Sequence, residues 1–148
     1  TTGLATLRRD GFASMDASEL EGTLTTRPVR FTGNRLFINV DADAGELRAE
    51  VLDENGKVIA PFTRANCIPV RIDKTLQEVQ WSKAVDLSVV AGKKIKFQFY
   101  LRNGRLYSFW VSPDRSGASR GYVAAGGPGF TGPTDTKGSM AYREGAER

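Results

Sequence analysis

Three aromatic side chains, Tyr100, Tyr107 and Phe109, alternate with three long polar ones, Gln98, Arg102 and Arg105, around the dipeptide Asn103-Gly104. That mixture suits a sugar. The C–H faces of a pyranose or furanose stack on rings, and its hydroxyls need fixed donors and acceptors of the amide and guanidinium kind. If Asn103-Gly104 closes a two-residue type I′ turn, Arg102 faces Arg105 and Tyr100 faces Tyr107 across a hairpin. One side of that hairpin then carries Ile95, Phe97, Phe99, Leu101, Leu106 and Trp110, with Ser108 as its single polar residue. The other carries Lys96, Gln98, Tyr100, Arg102, Arg105, Tyr107, Phe109 and Val111. The first is a core face. The second is too aromatic for an ordinary solvated sheet, and three readings of it stand: a carbohydrate site, an interface with another domain or chain, or a surface covered by the chain's own C-terminal segment.

Other chemistries find less support. The chain has one cysteine and no histidine, which removes an internal disulfide, a thiolate zinc cluster and every mechanism that needs an imidazole. Cys67 lies in the apolar run "ANCIPV" and is expected to be a small buried hydrophobe rather than a nucleophile. Asp41, Asp43, Gly45 and Glu50 faintly resemble a calcium loop, but the third acidic ligand and the spacing to a bidentate glutamate are missing, so no cofactor is expected. Carboxylates are plentiful, among them Asp10, Asp16, Glu19, Glu21, Asp53, Glu54, Asp73, Glu78 and Asp86. Most fall in turns or on polar strand faces, and no pair is nominated for acid–base work. The expectation is a chain that is not an enzyme.

The elements that must position these residues are strands. "RLFINVD" sets Leu36, Ile38 and Val40 against Arg35, Asn39 and Asp41, with Phe37 out of pattern, and "ELRAEVL" sets Leu47, Ala49 and Val51 against Glu46, Arg48 and Glu50. "ADAG" joins the two tightly, and "DENG" leads into "KVIA", which reads as an antiparallel meander. Upstream, "LATLRRDGFASMD" reads as two strands about an Asp10-Gly11 turn, and Pro28 marks an edge position or bulge in "GTLTTRPVRF". Downstream, "LQEVQW" is a further strand and "AVDLSVVAGKK" one short helical turn ending at Gly92. Roughly eight to ten short strands with almost no helix predict an all-β antiparallel two-sheet sandwich of the jelly-roll or concanavalin-like kind over residues 1–112. Residues 113–148 are rich in Gly, Pro and Ser without periodicity and are expected to form an extended tail, packed on the sandwich or trailing from it.

With 148 residues there is room for one domain with a real core. Lysine and arginine total 21 against 17 acids, a net charge of +4, and the basic residues are scattered among acids rather than gathered in the stripe that nucleic acid requires. No apolar run approaches the ~20 residues of a membrane span, so neither nucleic acid nor membrane is an expected partner. No export signal is visible, which implies either a cytosolic protein or a piece whose leader lies elsewhere.

The succession "RLFINVDADAGELRAEVLDENGKVIAPF", "NCIPV" and "VQWSKAVDLSVVAGKKIKFQFYLRNGRLYSFWV" resembles the C-terminal β-sandwich accessory domain of glycoside hydrolase family 32-like and sialidase-like five-bladed-propeller proteins. The likeness rests on the order and spacing of features from about Leu4 to Val111. It implies a secreted or extracytoplasmic, non-catalytic domain of a polysaccharide-active protein, whose partners are a polysaccharide or oligosaccharide and the catalytic propeller domain of the parent. Under that reading Tyr100, Tyr107 and Phe109 are stacking surfaces and Gln98, Arg102 and Arg105 polar contacts. The rival reading is a structural or interaction module whose aromatic face docks on a neighbouring domain or chain.

Overall fold

Alternating apolar residues give the chain strands with one side to bury, and it buries them by passing from one sheet to the other at every connection. The computed structural model describes residues 2–123 and 129–144. Within them the strands are β1 (Met15–Ala17), β2 (Gly22–Thr25), β3 (Arg35–Asp41), β4 (Glu46–Asp53), β5 (Asp73–Val79), β6 (Ile95–Arg102) and β7 (Gly104–Ser112). Sheet A has the order β1-β7-β3-β5 and sheet B the order β2-β6-β4, all pairs antiparallel. Odd strands lie in one sheet and even strands in the other, which is the winding of a jelly roll. The free edge of β4 is lined by residues 58–70 through the bridges Leu52↔Val58 and Leu47↔Val70, where the eighth strand of such a roll would run.

This winding corrects the meander and the hairpin expected from the sequence. "ADAG" carries the chain from sheet A to sheet B, not between paired neighbours. Asn103-Gly104 does the reverse, so β6 and β7 do not pair. Asn103 does adopt the left-handed conformation, with φ 44°, but its N–H donates to Ser18 O (2.8 Å) instead of closing a two-residue loop. The physical reason is that both aromatic strands are central. β6 has β2 and β4 on its two edges, and β7 has β1 and β3, so neither has an edge left for the other. Leu4 to Arg9 and "KVIA" form no strand of their own, and the short turn before Gly92 is a 3₁₀ turn, Ser88–Val90, with Asp86 Oδ1 accepting the Ser88 N–H at 2.9 Å.

The core lies between the sheets. Leu36, Ile38 and Val40 of sheet A meet Leu47, Ala49, Val51, Phe97 and Phe99 of sheet B, each no more than 1% exposed. Trp81 packs edge-on against Phe62 and donates its indole N–H to Ala49 O (3.1 Å). Cys67 is in this core too, accepting the Ala49 N–H on its sulfur (3.2 Å), and burial pushes its thiol pKa up. A buried, protonated thiol is the packing residue the sequence led us to expect.

A bulge in sheet A decides which aromatic side chains enter that core. Asn39 pairs with Ser108 while Val40 pairs with Leu106, so Tyr107 is an extra residue on β7, and the β3–β5 register slips at the same place. One extra residue reverses the alternation beyond it. Leu106 points inward, and past the bulge Phe109 and Val111 pack on the core while Trp110 turns out to stack on Phe37 at 6.0 Å. The strict alternation read from the sequence had these residues the other way round.

The outer face of sheet A is covered from both directions. The Trp110 indole N–H donates to Gly117 O (2.9 Å), and Gly117, at φ +73°, lies so close to Phe37 and Leu76 that a Cβ there would come within 2.9 Å of each. Around it the C-terminal segment is ordered by Asp135, whose buried carboxylate accepts backbone N–H groups from Ser119 (3.0 Å), Lys137 (3.2 Å) and Gly138 (2.8 Å). A last helix, α1 (Met140–Glu144), puts Tyr142 OH beside Thr75 Oγ1 (3.2 Å) on β5. From the other direction the N-terminal arm is pinned by Arg8. Its Nε donates to Asn39 Oδ1 (2.6 Å), one terminal nitrogen pairs with Asp73 (2.6 Å), the other donates to Val40 O (2.9 Å), and the guanidinium lies 4.5 Å from the Tyr107 ring centre.

Replacing Arg8 by alanine leaves the fully buried Asn39 carbonyl without its donor, and an orphaned buried polar group costs about 1–3 kcal/mol. Arg8→Ala is therefore expected to lower the unfolding free energy obtained from urea denaturation by an amount in that range. Arg30→Ala, which removes an arginine without these bonds, should change it by less than about 0.5 kcal/mol.

Candidate functional site

The six residues singled out in the sequence do not share a face. Gln98, Tyr100 and Arg102 alternate along β6 on the outer side of sheet B, Arg105 and Tyr107 belong to β7 in sheet A, and the Phe109 ring sits inside the sandwich against Phe99 (5.2 Å) and Phe97 (6.0 Å). The shared aromatic surface is corrected for the reasons already given: the strands that would have formed it lie in different sheets, and the bulge turns Phe109 inward. Tyr107 lies under Arg8.

On sheet B, Tyr100 is the centre of a polar network. Its hydroxyl donates to Glu50 on β4 and accepts the Gln98 amide N–H (2.9 Å). The second Glu50 oxygen accepts the Arg64 N–H (3.2 Å), and the Arg64 guanidinium covers the Tyr100 ring at 4.3 Å while pairing with Glu21 (2.5 Å). Burial first, and the hydrogen bond to Glu50 second, push the Tyr100 pKa up to about 12. Nearby, Glu46 accepts from Arg71 (2.6 Å) and Arg48 (3.3 Å); burial raises its pKa, but the two guanidinium groups outweigh that and hold it below the usual carboxylate range. Tyr100, Gln98, Glu50, Arg64 and Glu21 of this face are engaged with one another.

At one end of the sandwich three inter-sheet connections converge on an open groove of about 740 Å³. β1 and its exit supply Asp16 and Ser18, the β3–β4 connection supplies Asp41 and Asp43, and the β6–β7 corner supplies Asn103 and Arg105. The connections are packed backbone to backbone. A Cβ on Gly45 would lie 1.8 Å from Arg102 O, and one on Gly104 would lie 2.6 Å from Asp41 O, so only glycine allows this floor. Arg105 stands 3.8 Å from Asp16, and the neighbouring Tyr107, followed by Asp16, raises its pKa above the ordinary arginine value. The groove thus offers carboxylate acceptors, an amide and a guanidinium on a fixed frame, the groups that grip hydroxyls.

Of the six contact residues nominated for carbohydrate, Arg105 alone lines this groove. In the sequence Asp16 is one of many carboxylates, Asn103 reads as a turn residue and nothing singles out Ser18, because the three come together only through the winding. The calcium-like residues separate: Asp41 and Asp43 line the groove, while Glu50 is held by Tyr100. Among the described residues no group of three or more His, Cys, Asp or Glu side chains is placed to hold a metal ion. Several of the other acids are committed to partners, Glu21 to Arg64, Asp73 to Arg8 and Glu78 to Arg35 (2.7 Å). Compared with protein-family models, with curated proteins and with solved structures, the chain matches none.

The Tyr100 network sets a pH dependence. Tyrosine in an unfolded chain ionises near ~10, and in the folded chain Tyr100 keeps its proton to about 12. The native state then binds more protons than the unfolded one across that interval, so stability present below ~10 falls as pH rises toward 12. Tyr100→Phe is expected to flatten that part of the stability curve and to remove the latest component of the ultraviolet tyrosinate titration; an unchanged titration would refute the network.

Proposed function

We propose that this chain is a non-catalytic accessory domain that binds carbohydrate weakly, in the groove where the three inter-sheet connections meet. The observation that carries the reading is the groove itself: Asp16, Asp41, Asp43, Asn103 and Arg105 around one open space, on a floor fixed by Gly45 and Gly104. Carboxylates and an amide take and give the hydrogen bonds of vicinal hydroxyls without a change of shape, and a rigid frame lowers the ordering cost of binding. The resemblance to accessory sandwiches of propeller-type glycoside hydrolases agrees with this reading. It extends it to a secreted or extracytoplasmic protein whose propeller domain performs the hydrolysis.

A second reading, a module that docks on a neighbouring domain, is favoured by a different observation. Leu4, Leu7 and Phe12 of the N-terminal arm are 93%, 61% and 81% exposed, in a run that carries three large apolar side chains past the covered face of sheet A. Such a row is more apolar than solubility requires.

Affinity electrophoresis through fructans, xylans, β-glucans and pectins separates the two. Under the first reading one polymer retards the domain, and Arg105→Ala or Asp43→Asn weakens the retardation about tenfold without lowering the melting temperature. Retardation by no polymer at millimolar sugar equivalents would overturn it in favour of docking.

A further inference from the structure

Beside the polar groove a second, smaller opening enters the sandwich between β1 and β2, and the two share Asp16 and Ala17 as a common wall. This slot has a volume of about 50 Å³. Gly22 and Leu24 of β2 line one side, Met15 and Ala17 of β1 the other, and Phe99 and Leu106 of the core form its back. β1 and β2 belong to different sheets, and the sandwich edge is open here because both strands are short. The space suits a methyl group or a small acyl group; a whole sugar ring does not fit. It is apolar where the groove is polar.

We infer that the ligand of the groove is a sugar bearing a methyl group, either a 6-deoxyhexose or an N-acetylated aminosugar, whose hydroxyls lie against Asp16 and Arg105 and whose methyl enters the slot beside Ala17. The inference rests on the carbohydrate reading above and adds the substrate class to it. A hydroxymethyl group in the same place would set its hydroxyl against a lining made mostly of Met15, Ala17, Leu24, Phe99, Leu101 and Leu106, with Asp16 and Thr23 as the polar exceptions. Desolvation of that hydroxyl in a mostly apolar slot and the loss of methyl burial both disfavour the hydroxylated parent sugar.

Gly22 provides the variant. A Cβ there would lie 3.3 Å from the Ala17 side chain and 3.9 Å from Leu101 O, a tight but tolerable contact that narrows the slot. Ala17→Val narrows it from the opposite strand and serves where Gly22→Ala fails to fold. The experiment is titration of the isotopically labelled domain, followed by amide chemical shifts, with three sugar pairs: L-fucose against L-galactose, L-rhamnose against L-mannose, and N-acetyl-D-glucosamine against D-glucosamine.

The expected result is about tenfold tighter binding of the methyl-bearing member of at least one pair, with shifts at Leu24 and Leu106 as well as at Arg105. The preference should fall to about one in Gly22→Ala or Ala17→Val. The pair that responds tells deoxyhexose from acetamido sugar. Equal binding within every pair, with shifts confined to the groove, overturns the slot assignment and leaves the groove reading standing. Shifts nowhere in either opening, with any of the six sugars at tens of millimolar, overturn both.

Discussion

One amide in the middle of sheet A sets the phase of the structure. Asn39 sits at the bulge of a central strand and is fully buried, which is permissible only because Arg8 donates to its oxygen and Arg9 O accepts from its nitrogen at 2.7 Å. An unpaired amide there would cost more than the bulge could return. The slip at Asn39 turns Phe109 inward and Trp110 outward, and those two rings choose the two environments that follow. Phe109 completes the aromatic cluster with Phe97 and Phe99. Trp110 and Phe37 give the outer face a flat apolar platform for residues 113–123. The N-terminal arm is thus held by the same group that requires it.

The two outer faces end up different in kind. Sheet A is roofed by the N-terminal arm and the C-terminal segment, and Arg9 links the two roofs by lying 4.8 Å from the Phe130 ring centre and donating to Tyr142 OH (3.2 Å). Sheet B has no such cover, and its Tyr100, Glu50, Arg64 and Glu21 satisfy one another instead. The Arg64–Glu21 pair, at 43% and 32% side-chain exposure, contributes little stability itself, yet it holds the guanidinium over the Tyr100 ring. Openings remain at the end and the edge of the sandwich, where connections rather than strands form the surface. Binding groups carried on connections over a stiff frame are a common arrangement in β-sandwiches.

Much of the architecture was legible in the residues. "RLFINVD" and "ELRAEVL" are strands at their predicted places, the turn ending at Gly92 is there with its φ of 74°, and the two-sheet sandwich follows from period-two alternation in nearly every segment. Phe37, the residue that broke its pattern, was the visible trace of a second buried face. The pairing of strands was not legible, because an Asn-Gly dipeptide serves a corner, with Asn103 alone left-handed, as well as a hairpin, and local sequence does not say which edges of a strand are already taken. The bulge was hidden for a related reason. It is set by Arg8 and Asn39, separated by 31 positions, so no local window contains it. The groove shares that origin, since Asp16, Asp43 and Asn103 meet only once the winding is complete.

The winding also bears on how the chain comes to be folded as it is made. The central strand of sheet B is β6 and the strand that joins β1 to β3 in sheet A is β7, and these two are the last strands to be synthesised. Until they emerge, neither β1 nor β2 has a strand to pair with, since β1 pairs with β7 and β2 with β6. The β3–β5 pair can form early, but neither sheet can be completed before β6 and β7, and the earliest strand must wait for a partner about ninety positions later, as Met15 does for Leu106. The strands made before them carry their own safeguard in the sequence, since Glu46, Arg48 and Glu50 on β4 and Asp73, Lys74 and Glu78 on β5 interleave charge with the apolar residues, the pattern that disfavours edge-to-edge association.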